Sequence, residues 1–314
     1  MKALAIDIGG THAACALVED RRIIVSETLD ADGVDLAPLL RELGDRLRDL
    51  LGRAGVPAPA CAGVAVAFCG IVDPQRARIL ATRGKYADAP QLDLQAWARH
   101  ALGLPVAVEN DARMALLGEW YAGAARGVNN VVMITLGTGV GGAAMINGRL
   151  LHGKHYQAGC LGGHLPALFT GRRCICGAIG CVEAEASTWA LPAICRETPG
   201  FDASPLSQCD PVTFEDLFRY ARAGDQVAET VRTRCLKVWG TAAVALIHAY
   251  DPEVVLFGGG VMKSAPDILP SIKAHVSECA WTPWGEPEVR AAELGNEAAL
   301  LGAIPMLGGP RRPQ

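Results

Sequence analysis

The chain has 314 residues, half of them hydrophobic, a fifth charged and 36 of them glycine, which is apolar material for one large domain or for two domains with a core each, joined by many tight turns. A formal net charge of −4 excludes a general attraction for nucleic acid or for an anionic membrane, so a polyanionic ligand must be held locally. No stretch reaches the roughly 18 continuous apolar residues of a membrane helix, and the apolar start Ala3-Leu4-Ala5-Ile6, broken by Asp7, lacks the pattern of a secretory signal. A cytoplasmic protein is expected, with its eleven cysteines as buried thiols or metal ligands rather than disulfides.

In chain order, residues 4–7, 13–18 and 23–28 read as three short strands, joined by Gly9-Gly10-Thr11 and by the charged turn Glu19-Asp20-Arg21-Arg22. This is the pattern of an antiparallel meander. Leucines at 36, 39, 40, 43, 47, 50 and 51 then recur at helical spacing, so 35–53 is predicted to be an amphipathic helix packed on that sheet. Apolar strands follow at 64–68 and 106–109, with a helix at 94–102 between them. A further helix is predicted over 112–125.

The opening unit then recurs. Residues 131–136 read as a strand, 137–142 as a glycine loop and 143–146 as a strand, and Asn147-Gly148 turns the chain into Arg149-Leu150-Leu151. Two copies of strand, glycine turn, strand and strand imply duplicated halves, with a ligand cleft between them. A long helix at 226–250, a strand at 254–257 and the cluster Gly258-Gly259-Gly260 come next. The last helical stretch, 297–306, is expected to return to the first domain, and the Pro/Arg tail after Gly308 to be frayed. The predicted domains are therefore 1–111 with about 297–314, and 112–296.

Three glycine turns that each follow an apolar strand offer backbone N–H groups at close range, which suits phosphates. Gly137, Gly139 and Gly142 match the letters of a dinucleotide fingerprint, but a strand follows where that motif needs a helix. There is no glycine-lysine-serine/threonine ending of a P-loop either. Asp7 closes the first strand, where a carboxylate could hold hydrated Mg²⁺; as an isolated residue it reads as a turn-former. Asp111, between a strand and a helix, reads by itself as a helix cap.

The residues Asp7-Ile8-Gly9-Gly10-Thr11, Glu109-Asn110-Asp111-Ala112, the loop 137–142 and a histidine followed by clustered cysteines together resemble the ROK family (repressor, open reading frame, kinase) over nearly the whole chain. The resemblance implies an α/β fold of two actin-like (ribonuclease H-like) domains, ATP with Mg²⁺, and a hexose or amino-hexose phosphorylated on its terminal hydroxyl. By matching position, Gly9, Gly10 and Thr11 resemble the first phosphate loop, Gly137, Thr138 and Gly139 the second, and Gly258, Gly259 and Gly260 the adenosine-side loop. It makes Asp111 the catalytic base and Asn110 a ligand of the sugar, with Gly70 as a backbone contact. It also implies a homo-oligomer, dimer or tetramer.

Cys174, Cys176 and Cys181 put three thiols within eight residues, and His164, ten residues earlier, supplies a fourth ligand. Such a set suits a closed tetrahedral Zn²⁺ site, structural rather than catalytic. The resemblance assigns this zinc to those four residues and sets it beside the sugar pocket, in which His164 and Glu183 are also expected. The family's other pocket glutamate, three residues before the histidine, is Leu161 here. Lys85-Tyr86 stands where many members carry asparagine. A leucine accepts no hydrogen bond from a sugar, so these two departures alter the expected selectivity. Three other readings compete. A ROK transcriptional regulator would carry a DNA-binding module before Asp7, where six residues stand. A non-catalytic sugar sensor fits Leu161, and a different actin-like phosphotransferase fits the zinc cluster and Glu183 less well.

Overall fold

The structure is a computed structural model that describes residues 1–31, 33–82 and 84–308. The tail beyond Gly308 expected to fray lies outside the described residues. The chain divides into two compact units, the first comprising Met1–Gly127, His152–Ala158 and the segment from Glu293, the second Val128–Leu151 and Gly159–Ala292.

The first unit opens with β1 (Lys2–Ile8), β2 (His12–Glu19) and β3 (Arg22–Asp30), followed by α1 (Leu36–Ala54), β4 (Cys61–Phe68), a small hairpin of β5 (Ile71–Asp73) and β6 (Arg78–Ala81), α2 (Leu94–Leu102), β7 (Val106–Asn110) and α3 (Asp111–Ala122). β1, β2 and β3 form the expected antiparallel meander, and β4 and β7 extend the sheet in parallel, giving the order β3-β2-β1-β4-β7. The leucine stripe of α1 is buried with Leu4, Ile6, Val64, Val66 and Phe68 in one core, and the helix stops at Gly55, whose φ of 64° suits a residue without a side chain.

The second unit contains β8 (Val131–Leu136), β9 (Val140–Ile146), β10 (Arg149–Leu150), α4 (Val182–Ala186), α5 (Leu191–Glu197), α6 (Phe214–Arg222), α7 (Gln226–Tyr250), β11 (Val254–Gly258), α8 (Ala265–Cys279) and β12 (Glu288–Ala291). Its sheet order, β10-β9-β8-β11-β12, repeats that of the first unit, antiparallel at the start and parallel afterwards. Asn147 and Gly148 both have positive φ, as a tight hairpin turn requires. Trp239 of α7 is wholly buried in this unit's core, its indole N–H donating to Ala186 O at 3.0 Å.

The last described elements are α9 (Ala298–Leu301) and α10 (Ala303–Gly308), which pack on β1, β4 and α3. The observed division falls after Gly127 rather than after Asp111 because Gly118 of α3 lies against the Ala298 backbone, so α3 stays with the first sheet. A second difference concerns the loop expected at 137–142. β9 already begins at Val140, where Gly141 and Gly142 pair with Thr135 and Ile134, and a Cβ on Gly142 would come within 2.8 Å of Gly159 O. The free turn is therefore Gly137 to Gly139.

Candidate active site

Parallel pairing lines up three strand ends in the first unit. Ile8 is level with Phe68, and Phe68 with Asn110, so the residues that follow β1, β4 and β7 emerge along one edge of the sheet. That edge carries Asp7 and the Gly9–Thr11 turn, Gly70, and Asn110 with Asp111. Ligands of open α/β sheets bind outside such carboxyl ends.

The cap of α3 is Asn110, not Asp111: its side-chain oxygen accepts from Arg113 N at 3.2 Å. Its amide nitrogen donates to Gly70 O at 3.2 Å and to Asp111 Oδ1 at 2.8 Å, and that oxygen also accepts from Ala112 N at 2.8 Å. Burial pushes the Asp111 carboxyl up to about 6 in spite of these donors, and burial together with the Asp111 charge pushes Asp7 up to about 7. Two carboxyls with raised pKa on one edge are chemically suited to proton transfer or to holding a cation. Gly70 has to be glycine, since a Cβ there would sit 2.6 Å from Ala81 O and 2.9 Å from the Phe68 ring.

The Gly9–Thr11 turn is braced from a segment the sequence reading noted only as a departure. Lys85 Nζ donates to Gly10 O at 2.7 Å, and the Tyr86 hydroxyl donates to Gly9 O at 3.2 Å. Tyr86 is buried with φ of 59°, a conformation costly for an aromatic residue.

In the second unit the Gly137–Gly139 turn is fastened by Thr188 N and Trp189 N, which donate to Gly137 O and Thr138 O at 3.1 Å each. Glu183 is buried at the start of α4, and its Oε2 accepts from Val140 N at 3.0 Å and packs where a Cβ of Gly139 would be. Glu183 thus touches the second glycine turn directly. Gly259 has φ of 88° and no room for a Cβ beside Leu136 O, while Gly260 has open space next to it.

His164, Cys174, Cys176 and Cys181 come together, with all four ligand atoms within 4.8 Å of one another. His164 Nδ1 lies 3.5 Å from Cys174 Sγ, and Cys176 Sγ lies 3.5 Å from Cys181 Sγ. One imidazole nitrogen and three thiols at this spacing fit a closed tetrahedral zinc site. The loop is tied down by Glu185, which accepts from Arg172 N at 2.5 Å and pairs with Arg234. Leu161 is 38% exposed and offers no polar atom from its side chain.

Not singled out by the sequence are the braces Lys85 and Tyr86 and, beside Asn110, the buried pair Glu109–Arg113 with His152 Nε2 at 2.6 Å from Glu109 Oε2. Each acts through contacts across sequence gaps or through a buried charge, and a buried charge in a strand or helix carries no local pattern.

The ROK family model matches residues 3–308. Among curated relatives, the glucokinase of Thermotoga maritima is 30% identical over 98% of this chain and 97% of its own length, and the beta-glucoside kinase of Klebsiella pneumoniae is 28% identical over 97% and 96%. Among solved structures, the ROK hexokinase from Thermus thermophilus is 31% identical with a TM-score of 0.76 over 98% of this chain and 97% of that one. A ROK glucokinase from Streptomyces griseus in complex with glucose and AMPPNP is 29% identical with a TM-score of 0.79 over 96% and 98%. A ROK transcriptional regulator, homologue of the E. coli MLC protein, is 25% identical with a TM-score of 0.83 over 98% of this chain and 78% of that one. The chain belongs to the ROK family.

Proposed function

We propose that this chain, an ATP-dependent sugar kinase, transfers the γ-phosphoryl group of ATP to the terminal hydroxyl of a hexose, glucose or a related hexose or N-acetylhexosamine, with Asp111 as general base. The observation that carries the reading is the placing of Asp111: it follows the end of β7 on the sheet edge that carries Gly70 and Asp7, and Asn110 caps α3 and donates to its carboxylate; burial raises that carboxyl to about 6, within reach of a general base. The hydroxyl proton goes to Asp111, the hydroxyl oxygen bonds to phosphorus, and the bond to the leaving ADP oxygen breaks. Asn110 and Gly70 O, with His164 and Glu183 of the second unit, are assigned to the sugar. His164 directs Nδ1 at the thiols, which leaves Nε2 for a hydroxyl.

Gly9, Gly10 and Thr11 of the first unit and Gly137, Thr138 and Gly139 of the second are assigned to the phosphates, and Gly258, Gly259 and Gly260 to the adenosine side. The repeated sheet order supports two actin-like domains. Mg²⁺ bound with the nucleotide would neutralise charge on the phosphoryl oxygens, and Asp7 is the carboxylate assigned to hold it. Zn²⁺ would be structural and held by His164, Cys174, Cys176 and Cys181. The assembly is assigned as a dimer or tetramer on the family resemblance alone.

The test is ADP release over a panel of glucose, mannose, fructose, N-acetylglucosamine, N-acetylmannosamine and a β-glucoside. Turnover with at least one aldohexose or N-acetylhexosamine is expected; a protein that binds a sugar of the panel and releases no ADP with any of them overturns the reading. That second outcome is the non-catalytic sensor or regulator, a reading favoured by Leu161 and by the likeness to the regulator. Among the described residues no helix is long and apolar enough to cross a membrane.

A further inference from the structure

Under Asn110 and Asp111 lies an ion pair that the transfer itself does not use. Glu109 is 1% exposed and Arg113 not at all. Arg113 Nη1 stands 3.4 Å from Glu109 Oε1, the same oxygen that accepts from Asn110 N at 2.8 Å. The other oxygen of Glu109 is 2.6 Å from His152 Nε2. Arg113 Nη2 donates to Ala158 O at 2.6 Å and to Tyr156 O at 3.1 Å, and the Tyr156 hydroxyl bonds the Asp73 carboxylate. Segment His152–Ala158 leaves its sequence neighbours in the second unit and belongs to the first, and these bonds tie it to β7 and α3.

Burying two charges costs several kcal/mol per ion, which their attraction repays only with good geometry and further hydrogen bonds, and apolar residues of the same size often stabilise a fold as well or better. Arg113 Nε, moreover, is buried without a hydrogen-bond partner. The pair is therefore poorly explained by stability. What it does accomplish is geometric. Glu109 fixes the backbone of Asn110 and is itself held by the Arg113 guanidinium, while the backbone N–H of Arg113 caps the Asn110 side-chain oxygen. With that oxygen turned to the helix, the Asn110 amide nitrogen has to point at Gly70 O and Asp111 Oδ1.

We propose that Glu109 and Arg113 are positioning residues of the acceptor side: Glu109, held by the Arg113 guanidinium, sets the Asn110 backbone and through it the Asp111 carboxylate, and the two side chains pin His152–Ala158 to the same strand end as part of the sugar wall. The inference rests on the reading of Asp111 as base. It gives a role to the segment His152–Ala158, and it makes the Glu109–His152 contact a determinant of sugar affinity rather than of nucleotide affinity.

The experiment compares wild type with Glu109→Gln, His152→Leu and His152→Gln, using ADP release at varied glucose and varied ATP, calorimetric glucose affinity, and a thermal melt on each preparation. Glu109→Gln keeps an acceptor for Asn110 N and loses the charge facing Arg113; kcat should fall by about 100-fold, the effect of a small misplacement of reacting groups, with a raised glucose KM and an unchanged ATP KM. His152→Leu leaves Glu109 Oε2 bare and should shift the same way. His152→Gln retains a donor and should recover most of that loss.

Wild-type kcat and glucose KM in folded Glu109→Gln and His152→Leu overturn the proposal, and so does an ATP KM that rises as much as the glucose KM. If Glu109→Gln does not fold, the His152 pair decides, and equal losses in His152→Leu and His152→Gln overturn it. Where wild type turns over another sugar of the panel rather than glucose, that sugar replaces glucose throughout; absence of turnover with every sugar of the panel is failure of the kinase reading instead, and the affinities for a sugar that binds then compare the variants without catalysis.

Discussion

Asn110 donates its side-chain amide to the carboxylate of its neighbour Asp111 at 2.8 Å while its own oxygen caps the helix that Asp111 begins. The side-chain cap at this helix start is thus made by the first residue of the Asn-Asp pair, and the Asp111 carboxylate accepts the N–H of its neighbour Ala112. A carboxylate that caps a helix would be expected below its ordinary pKa; Asp111 is above it.

Replacing Asp111 by alanine should therefore separate activity from folding. kcat for ADP release should fall by about 10²–10⁴-fold, the range for loss of a general base, with no drop in thermal midpoint at pH 8. Full turnover in this variant would remove Asp111 from the mechanism.

The raised carboxyls predict opposite trends for activity and stability with pH. Asp7 and Asp111 have an ordinary pKa of 3.8 and are pushed up to about 7 and about 6 in the fold, first of all by burial. The folded state then holds more protons than the unfolded chain above pH 3.8, so their contribution to stability is complete below that pH and is lost as pH rises through 6 to 7. Activity needs ionised Asp111, so kcat/KM should show an acid limb near pH 6. Asp7→Asn should raise the thermal midpoint at pH 8 by more than at pH 5, and a difference independent of pH would contradict the burial of that charge.

One zinc per chain should be found by elemental analysis, and Cys176→Ala should lower that content and the thermal midpoint together, since closed structural sites contribute folding energy directly. Chelation should weaken glucose binding before global unfolding, because Val182 N, next to the ligand Cys181, donates to Leu165 O and Glu183 follows at once. Unchanged glucose affinity in verified zinc-free protein would count against this coupling.

Two glycines of the phosphate turns should respond differently to alanine. At Gly10 nothing lies within 4 Å of an added Cβ, whereas at Gly139 the Cβ would collide with the Glu183 carboxylate. Gly139→Ala should displace Glu183 from Val140 N, raise both glucose and ATP KM, and destabilise by roughly 1–3 kcal/mol, the cost of an unmet buried hydrogen bond. Gly10→Ala should fold as wild type does, as a thermal melt would record. Equal melting temperatures and equal KM values in the two variants would sink the idea that Glu183 supports the turn.

Much of this protein was legible in the order of its residues. The repeated strand-turn-strand-strand pattern, the leucine spacing of α1 and the bounds of α7 follow from periodicity and turn chemistry, which act over a few residues. The thiols and His164 could be grouped from spacing because short glycine-containing loops bring such ligands together whatever surrounds them. The start of β9 at Val140 could not be read, since Gly141 and Gly142 have no strand preference of their own and are held by pairing with β8. Nor could the boundary after Gly127, which depends on α3 resting against Ala298 far along the chain. The sequence by itself determined the repeated strand pattern, the helices α1, α2 and α7 and the four candidate metal ligands; Asp7 and Asp111 were singled out by the family resemblance, and α5, α6, α8 and β12 were not read at all. Only the tertiary structure decided that Asn110 rather than Asp111 caps α3, that Glu183 holds the second turn, and that Glu109, Arg113 and His152–Ala158 stand behind the base. These are matters of burial and of hydrogen bonds between residues distant in sequence, and the free energy of a buried charge depends on partners that no local pattern names.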